Sequence, residues 1–397
     1  MGRIMIFTGK GGVGKSSIAS AHALQAAKQG MKTLLISTDM AHNLGDLFEI
    51  TCGQDIQQVT DCLDILEIDP EYEMAEHYGH LTETISHMLP GGAADEDGVG
   101  SFMLFPGMVD LFSLLRVKTL HESGEYEMII VDCAPTGETL ALLKLPELLS
   151  WYMEKLFPVG RVAVRVMRPI SRHAFKIELP DQAAMNDIQA LYLELSALQK
   201  LFKNSEVTTI RMVAIPEKMV VAETKRSLMY LNLYGFTVDG LVINRVLPAA
   251  ADADFFREWH RIQAMYQEEL GEVFRGLPIR QVPWYEEEVK GPAALRRIAQ
   301  DALDDADLFA RPPKDHREIF EKSPRGYTLI LALPQVEKGA IDLHQGRDDL
   351  ILRIGNFKRC IPLPDVLRKT VVSGAALKEG VLRVNFEETQ EEGQHEV

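Results

Sequence analysis

A glycine-rich stretch near the N-terminus has the residue types and the spacing of a phosphate-binding loop. The pattern G-x-x-x-x-G-K-S runs from Gly9 to Ser16, between an apolar run at residues 4–7 and an alanine-rich helical pattern. In such a loop the backbone N–H groups point at one anion, Lys15 reaches the β- and γ-phosphates, and the Ser16 hydroxyl ligates Mg²⁺. A dinucleotide-binding turn or a purely structural turn is the alternative, but neither requires the Lys-Ser pair. The predicted phosphate-binding residues are Gly9, Gly11, Gly12, Val13, Gly14, Lys15, Ser16 and Ser17.

Two aspartates follow apolar runs that predict buried strands. Asp132 comes directly after residues 127–131 (EMIIV), an arrangement in which the carboxylate holds Mg²⁺. Asp39 comes soon after residues 32–37 (KTLLIS), where a carboxylate could orient or deprotonate an attacking water. Sheets of α/β proteins place their chemistry at these carboxyl ends of strands. Each aspartate also has a simpler interpretation as a turn residue or helix cap.

Apolar runs and helical periodicity predict the elements that must position these residues. Buried strands alternate with helical segments, which is typical of a mostly parallel sheet with helices on both faces. The predicted fold class is therefore α/β, a P-loop NTPase with helical subdomain insertions and a C-terminal β-sandwich. The predicted strands are residues 4–7, 32–37, 63–68, 127–131, 207–214 and 236–243, and nearer the C-terminus 327–334, 350–354, 358–363 and 381–386; the predicted helices include 17–29, 218–233 and 293–304.

Length, charge and cysteine content exclude several classes of protein. The 397 residues, 46% of them hydrophobic, suffice for two or three domains, and a net charge of −16 argues against a nucleic-acid partner. The four cysteines include no C-x-x-C pair, so neither a zinc site nor a disulfide framework is predicted. Reduced thiols, the lack of a cleavable signal and the lack of an apolar stretch near ~18 residues predict a cytoplasmic protein without a membrane span.

Two dense apolar segments each have two interpretations. Residues 102–115 contain FMLFPGM and LFSLL, and residues 148–157 read LLSWYMEKLF. Packing in the core is one interpretation, and a surface that receives an apolar partner is the other. An exposed apolar groove would favour a protein that shields apolar helices, whereas a polar, well-packed helical region would favour a regulatory ATPase.

The loop GKGGVGKS, with its early lysine Lys10, resembles the deviant P-loop class of dimeric ATPases. Together with STDMAHNL from Ser37 and DCAPTGETL from Asp132, it resembles the ArsA family, which includes arsenite-pump ATPases and targeting factors for tail-anchored membrane proteins. The resemblance implies a homodimer with ATP and Mg²⁺ at its interface. In such a dimer Lys10 would complete the nucleotide site of the partner subunit; the alternative is that Lys10 is a solvated loop lysine. Asp39 would position the hydrolytic water. The segment after Asp132 would move with the nucleotide state.

The same resemblance assigns residues to the base side of the nucleotide. The amide of Asn244 would read the purine edge, or else it caps the following turn. Three further residues, Pro216, Glu217 and Pro283, lie in segments that match the nucleotide-edge loops of the family. They complete the predicted nucleotide site.

The resemblance places two helical insertions of the family at about residues 70–125 and 146–205 of this chain. In the targeting ATPases they form a helical subdomain, and the two subdomains of a dimer make an apolar groove for a transmembrane helix. The zinc-binding C-x-x-C pair of the eukaryotic targeting factor is absent here, so no zinc is expected.

The C-terminal part of the chain changes character. Short apolar runs at fairly regular spacing predict a β-sandwich. The motifs L-x-L-P from Leu331, I-x-L-P from Ile361 and A-x-x-x-x-G-V-L from Ala375 resemble an α-crystallin, or small heat-shock protein, domain. Its sheet edges could pair with the ATPase domain, a second chain or a client strand, or the domain could be a stabilising appendage. The predicted boundaries are an ATPase domain at 1–310, a linker at 311–325, a β-sandwich at 326–386 and an acidic tail at 387–397.

Taken with both resemblances, the sequence predicts an ATPase that hydrolyses ATP to ADP and phosphate and works as a homodimeric switch. As a chaperone or targeting factor it would shield apolar segments of membrane proteins, with a transmembrane-helix client and a membrane receptor as expected partners. One alternative is an ATPase that regulates or positions another protein, and another is an arsenite-stimulated anion-pump ATPase.

Overall fold

The computed structural model describes the chain in segments that together cover the predicted sheet and the C-terminal domain. The predicted apolar residues 148–157 and most of the predicted helical subdomain lie outside these segments. The described residues are 2–38, 43–70, 72–73, 76, 108–133, 182–251, 253–305, 307–311, 318–323, 326–333, 336, 338–346, 349–355, 357–363, 365–367, 370–378 and 380–388.

A single large sheet organises the N-terminal part. Within the described residues it has eight strands in the order β3-β4-β2-β5-β1-β6-β7-β8. All neighbouring pairs are parallel except the edge pair β3–β4, so the predicted mostly parallel sheet is confirmed. The strands are β1 Arg3–Thr8, β2 Thr33–Ser37, β3 Gln57–Thr60, β4 Leu63–Glu67, β5 Met128–Asp132, β6 Thr208–Ala214, β7 Val238–Val246 and β8 Ile279–Pro283.

Helices cover this sheet. Strands β1, β2, β5 and β6 are buried along their whole length, because layers pack against both faces of a parallel sheet. Helix α1 contacts β2 and β5 and packs against α7, while α5 contacts β6 and β7 and packs against α6. The helices of the described segments are α1 Lys15–Lys28, α2 Asn43–Phe48, α3 Met108–Glu122, α4 Gln182–Lys203, α5 Lys218–Leu233, α6 Asp254–Val273 and α7 Gly291–Ala302.

Part of one predicted partner surface is core. Leu111, Phe112, Leu114 and Leu115 of α3 are all buried, so the core interpretation holds for this half of the 102–115 segment. Residues 102–107 lie outside the described part of the chain. Among the described helices, none is both long enough and apolar enough to cross a membrane.

A buried histidine in α1 makes the stability of this domain depend on pH. His22 is fully buried, its ring lies 4.7 Å from that of Phe7 between centroids, and its Nδ1 lies 2.7 Å from the carbonyl oxygen of Ile18. Burial, and secondarily the positive charge of Arg211, lower the pKa of His22 well below its usual 6.5. In the folded chain the imidazole is therefore neutral, whereas the unfolded chain takes up a proton once the pH falls below about 6.5.

We expect the free energy of unfolding to fall as the pH drops below 6.5, by up to about 1.4 kcal/mol per pH unit from this group. Replacing His22→Leu should remove that part of the slope, and urea denaturation at several pH values between 7 and 5 measures it. As a control, replacement of the exposed His344→Gln should leave the slope as it is. An unchanged slope in the His22→Leu variant would show that other groups cause the pH dependence.

The C-terminal domain is built from two antiparallel sheets. Its described strands form the sheets β14-β15-β10-β9 and β11-β12-β13, and buried leucines such as Leu352 and Leu382 alternate with less buried residues. The predicted β-strand domain is confirmed. The strands are β9 Glu318–Ser323, β10 Gly326–Ala332, β11 Ile341–Gln345, β12 Asp349–Ile354, β13 Phe357–Pro362, β14 Thr370–Lys378 and β15 Val381–Glu388.

Strand β9 lies inside the segment predicted as a linker at 311–325. It pairs with β10 along its whole length, from Ser323 opposite Gly326 to Glu318 opposite Leu331. Its sequence EIFEKS is mostly polar, which is why the apolar pattern did not reveal it; an edge strand needs little apolar surface. The connection between the domains is correspondingly shorter than predicted.

The β-sandwich packs on the C-terminal end of α5. The Tyr234 hydroxyl donates to the carbonyl oxygen of Lys358 at 2.5 Å, and the ring centroids of Tyr230 and Phe357 lie 5.3 Å apart. The guanidinium of buried Arg359 donates to the carbonyl oxygen of Leu233. Because the last carbonyls of a helix lack partners within it, Arg359 completes the end of α5 from the other domain.

Replacing Arg359→Ala should weaken the contact between the domains by about 1–3 kcal/mol, because the terminal carbonyl of α5 loses its donor inside a buried contact. The expected result is faster trypsin cleavage in the connection between the domains and a lower melting temperature of the sandwich. Arg353→Ala, which removes an exposed arginine from the adjacent strand β12, is the matched control. Equal effects of the two replacements would contradict a role for Arg359 in docking.

Candidate functional site

The loop between β1 and α1 has the backbone shape that the glycine pattern predicts. Gly14, which precedes the first helical residue Lys15, has a left-handed φ of 89°. A Cβ added to Gly14 would collide with the Asn244 amide nitrogen, and one added to Gly9 would collide with the carbonyl oxygen of Val213. Both positions therefore require glycine, since the loop lies tightly against the ends of β6 and β7.

The start of α1 suits an anion. Gly11 and Gly12 are exposed, Val13 is buried, and Ser16 and Ser17 are half-buried. The first turn of α1 carries no acidic residue, so nothing in it opposes the positive end of the helix dipole. The side chain of Lys15 is almost fully buried at this helix start. Unpaired N–H groups of the first turn and a lysine at the same place fit a polyphosphate.

Asp132 lies beside the strand that enters the loop. It is the last residue of β5, it is opposite Phe7 of β1 and Ser37 of β2, and it is 1% exposed. The Thr38 N–H donates to the Asp132 carbonyl oxygen at 3.0 Å, which joins the ends of β2 and β5. A carboxylate at the end of the strand next to the loop fits the predicted role of Asp132, with the Ser16 hydroxyl, as a ligand of a divalent cation.

The amide of Asn244 contacts the phosphate-binding loop itself. Its Nδ2 donates to the carbonyl oxygen of Val13 at 2.9 Å, and its Oδ1 accepts from the N–H of Arg245 at 2.9 Å. Arg245 has a left-handed φ of 55°, and both residues lie within β7 rather than in the turn that follows it, so the cap of that turn stays a prediction. Reading of a purine edge by Asn244 stays a prediction.

The other predicted base-side residues lie at the same edge of the sheet as the loop. Pro216 is buried just after β6, Glu217 is exposed at the residue before α5, and Pro283 ends β8 opposite Val246. Trp284, which follows Pro283 in the segment that matches the nucleotide-edge loops, is exposed there, and its backbone N–H donates to the carbonyl oxygen of Val246 at 2.8 Å.

Asp39 lies outside the described residues, as does the segment 134–140, but the structure fixes their neighbours. Glu67, at the carboxyl end of β4, accepts from the N–H groups of Leu44 and Gly45 at 2.7 and 3.1 Å. It thereby holds the first turn of α2, which begins soon after Asp39. Sequence reasoning missed Glu67, although a carboxylate at the end of a predicted strand could have indicated it.

The early lysine of the loop has an acidic neighbour on α5. Lys10 Nζ lies 3.8 Å from Glu223 Oε2, and the two side chains are 36% and 29% exposed. Nothing in the sequence indicated this contact, since Glu223 is one of many helical glutamates and lies far from Lys10 along the chain.

Metal-binding clusters and paired cysteines are not found in the part of the chain that the structure describes. It contains no group of three or more His, Cys, Asp or Glu side chains placed to hold a metal ion. Cys52, Cys62 and Cys133, in the described part of the chain, are not joined in disulfide bonds.

Both domains match models of known protein families. Residues 2–304 match the family model described as anion-transporting ATPase, and residues 324–386 match the HSP20-like domain found in ArsA. A protein of Chlorobaculum tepidum named "Putative arsenical pump-driving ATPase" is 33% identical over 99% of this chain and 98% of its own length. A second protein of that kind, from Aquifex aeolicus, is 29% identical over 75% of this chain and 98% of its own length, and so matches one domain.

A relative with a different name matches the first domain as well. ATPase GET3 of Chaetomium globosum is 30% identical over 74% of this chain and 87% of its own length. The family match covers the sheet, the phosphate-binding loop and Asp132, and the second match covers nearly all of the β-sandwich. The chain therefore belongs to the anion-transporting ATPase family and is an ATPase with an HSP20-like domain at its C-terminal end.

Proposed function

We propose that this ATPase works as a homodimeric switch and that, as a chaperone or targeting factor, it shields apolar segments of membrane proteins. The observation that carries the proposal is the different placement of the two lysines of the loop. Lys15 is buried at the start of α1, whereas the Lys10 side chain is 36% exposed. A buried lysine serves the loop that holds it, while an exposed one can reach a nucleotide bound to a second copy.

Within one copy, the N–H groups of the loop and Lys15 would bind the β- and γ-phosphates and stabilise the charge of the transferred phosphoryl group. Ser16 and Asp132 would hold Mg²⁺, which neutralises charge on the phosphate oxygens when bound. The burial of Asp132 beside β1 supports this assignment. Asp39 would position the attacking water, and Asn244, Pro216, Glu217 and Pro283 would surround the base.

Across the proposed dimer, Lys10 would add a second positive charge to the partner's site. Charge supplied in trans stabilises a transferring phosphoryl group strongly and makes hydrolysis depend on association. Closing and opening of the dimer would then follow the nucleotide, through the segments that contain Asp39 and that follow Asp132.

A client of apolar character is supported by the resemblance and by exposed aromatic side chains. Phe255 and Trp259 are both exposed on α6, four residues apart and thus on one face of the helix. Paired exposed aromatic residues are typical of surfaces that contact another macromolecule. Because Leu111–Leu115 are core, the proposed client surface does not include them.

The test is capture of a labelled transmembrane-helix peptide by the purified chain with ATP, with ADP or without nucleotide, measured by size exclusion with light scattering. We expect peptide to elute with a dimer in ATP. Lys10→Ala should lose the ATP-dependent dimer, and Asp39→Asn should keep it because ATP is bound but not hydrolysed. Comparing peptide capture by the full chain with capture by a chain that ends after Arg311 shows whether the sandwich contributes to peptide binding.

Two results would redirect the proposal. Absence of capture with intact ATP hydrolysis would remove the client role and leave an ATPase that regulates or positions another protein. Stimulation of hydrolysis by arsenite would favour the arsenical pump that the names of several relatives suggest.

A further inference from the structure

The contact between Lys10 and Glu223 joins the phosphate-binding loop to helix α5. Glu223 lies in the second turn of α5, and its Oε2 is 3.8 Å from Lys10 Nζ. Opposite charges at this distance attract, but both side chains are about one-third exposed, so the ion pair is weak and readily broken. Such a pair can hold a side chain in one place without locking it there.

The two partners differ in how far they can move. Val220, Val221 and Thr224 of α5 are buried around Glu223, and the far end of the helix is held by the sandwich through Tyr234. Lys10 lies on a loop, and its side chain has four rotatable carbons. If the pair breaks, Lys10 is therefore the partner that leaves, while Glu223 stays on α5.

In the proposed dimer, Lys10 must leave Glu223 to reach a phosphate of the partner. The carboxylate of Glu223 and the phosphate oxygens compete for one ammonium group, since a lysine is a single point charge. Breaking the pair adds to the cost of closing the dimer, so the strength of the pair enters the affinity of the closed state.

We propose that Glu223 is a positioning residue for the reaction: it holds Lys10 against α5 in the open state and thereby sets the ATP level at which the dimer closes. This inference rests on the proposed function, because it needs Lys10 to act across a dimer interface. We expect its effect on the reaction to pass through Lys10, with which it pairs in the structure.

The test is Glu223→Gln in the full-length chain, with dimer formation followed by sedimentation velocity over a range of ATP concentrations. Loss of an exposed ion pair corresponds to about a two- to fivefold shift, so half-maximal dimer formation should need two- to fivefold less ATP. The KM for ATP should fall by the same factor, while kcat should change less than twofold.

The matched control is Glu269→Gln. Glu269 of α6 pairs with Lys225 of the same helix α5 at 2.7 Å, and these side chains are 37% and 34% exposed, close to the values for Glu223 and Lys10. The control makes the same change of charge and breaks the same kind of ion pair, away from the loop. It should leave the ATP dependence of dimer formation unchanged.

A second arm repeats both replacements in a Lys10→Ala chain. There Glu223→Gln should have no effect on nucleotide affinity, which a general structural role of Glu223 would not predict. Equal behaviour of Glu223→Gln and Glu269→Gln, with Lys10→Ala impairing the dimer, would overturn the role of Glu223 and leave the proposed function standing. An ATP-dependent dimer that survives Lys10→Ala would instead refute the role of Lys10, and the role of Glu223 with it.

Discussion

Replacing Lys15→Ala should lower the rate of ATP hydrolysis by about 100- to 1,000-fold, the typical loss when one preorganised charge or donor is taken from a transferring group. Lys15 is buried at the first residue of α1, where its ammonium adds to the positive end of the helix dipole. Water that entered the space left by the lysine side chain would not supply the positive charge of its ammonium group. Steady-state phosphate release measures the rate, and equilibrium binding of a fluorescent ATP analogue measures the affinity.

The fold should survive this replacement, because alanine is well tolerated at a helix start. Circular dichroism and the melting temperature check that point. Lys28→Ala is the matched control on the same helix, since the Lys28 side chain is 60% exposed and its partner is the exposed Asp304. Hydrolysis within threefold of the parent rate in Lys15→Ala would mean that this loop is not the catalytic phosphate site.

Replacing Asp239→Asn should destabilise the ATPase domain by about 3–5 kcal/mol, the usual cost of removing one partner of a buried ion pair. Arg211 Nε and Nη2 donate to the two carboxylate oxygens of Asp239 at 3.1 Å each, and both side chains are 3% exposed. The positive charge of Arg3 is close enough to Asp239 for the two to attract. Loss of the carboxylate therefore leaves two buried cations facing each other.

The same group of side chains ties the end of the ATPase domain to the sheet. Arg211 Nη2 also donates to the carbonyl oxygen of Leu308 at 3.1 Å, and Arg3 donates to that of Phe309. Urea denaturation followed by circular dichroism measures the loss of stability in Asp239→Asn, and we expect the segment after α7 to become sensitive to protease as well.

Two variants distinguish an electrostatic cause from a packing cause. Glu258→Gln breaks the exposed pair of Glu258 with Arg261 and should change the stability by less than about 1 kcal/mol. A double replacement of Arg211 and Asp239 by leucine should recover part of the stability lost in Asp239→Asn, because no buried charge is then left without its partner. If the double variant is less stable than the single one, the pair contributes by shape and hydrogen bonding and our explanation is wrong.

Local sequence determined the chemistry of the phosphate-binding loop and the central strands. The spacing from Gly9 to Ser16 demands a particular backbone, because only glycine accepts the left-handed turn and close approach found at Gly14. The middle residues of β1, β2 and β5 are all apolar, since both faces of a parallel sheet are covered. Strands with a polar sequence, such as β3 and β9 at sheet edges, gave no such signal and were missed.

The tertiary structure decided which of these pieces meet. Strand order places Asp132 opposite Phe7, and it brings Asn244 to the carbonyl oxygen of Val13. The same folding brings Glu223 to Lys10 and the end of α5 to Arg359. Residue spacing along the chain carries no information about these contacts. Each contact joins segments that are far apart in the sequence and that meet only when the sheet and the two domains assemble. The local sequence therefore specified a loop that can bind phosphate. Tertiary packing determined which carboxylate and amide groups lie next to that loop.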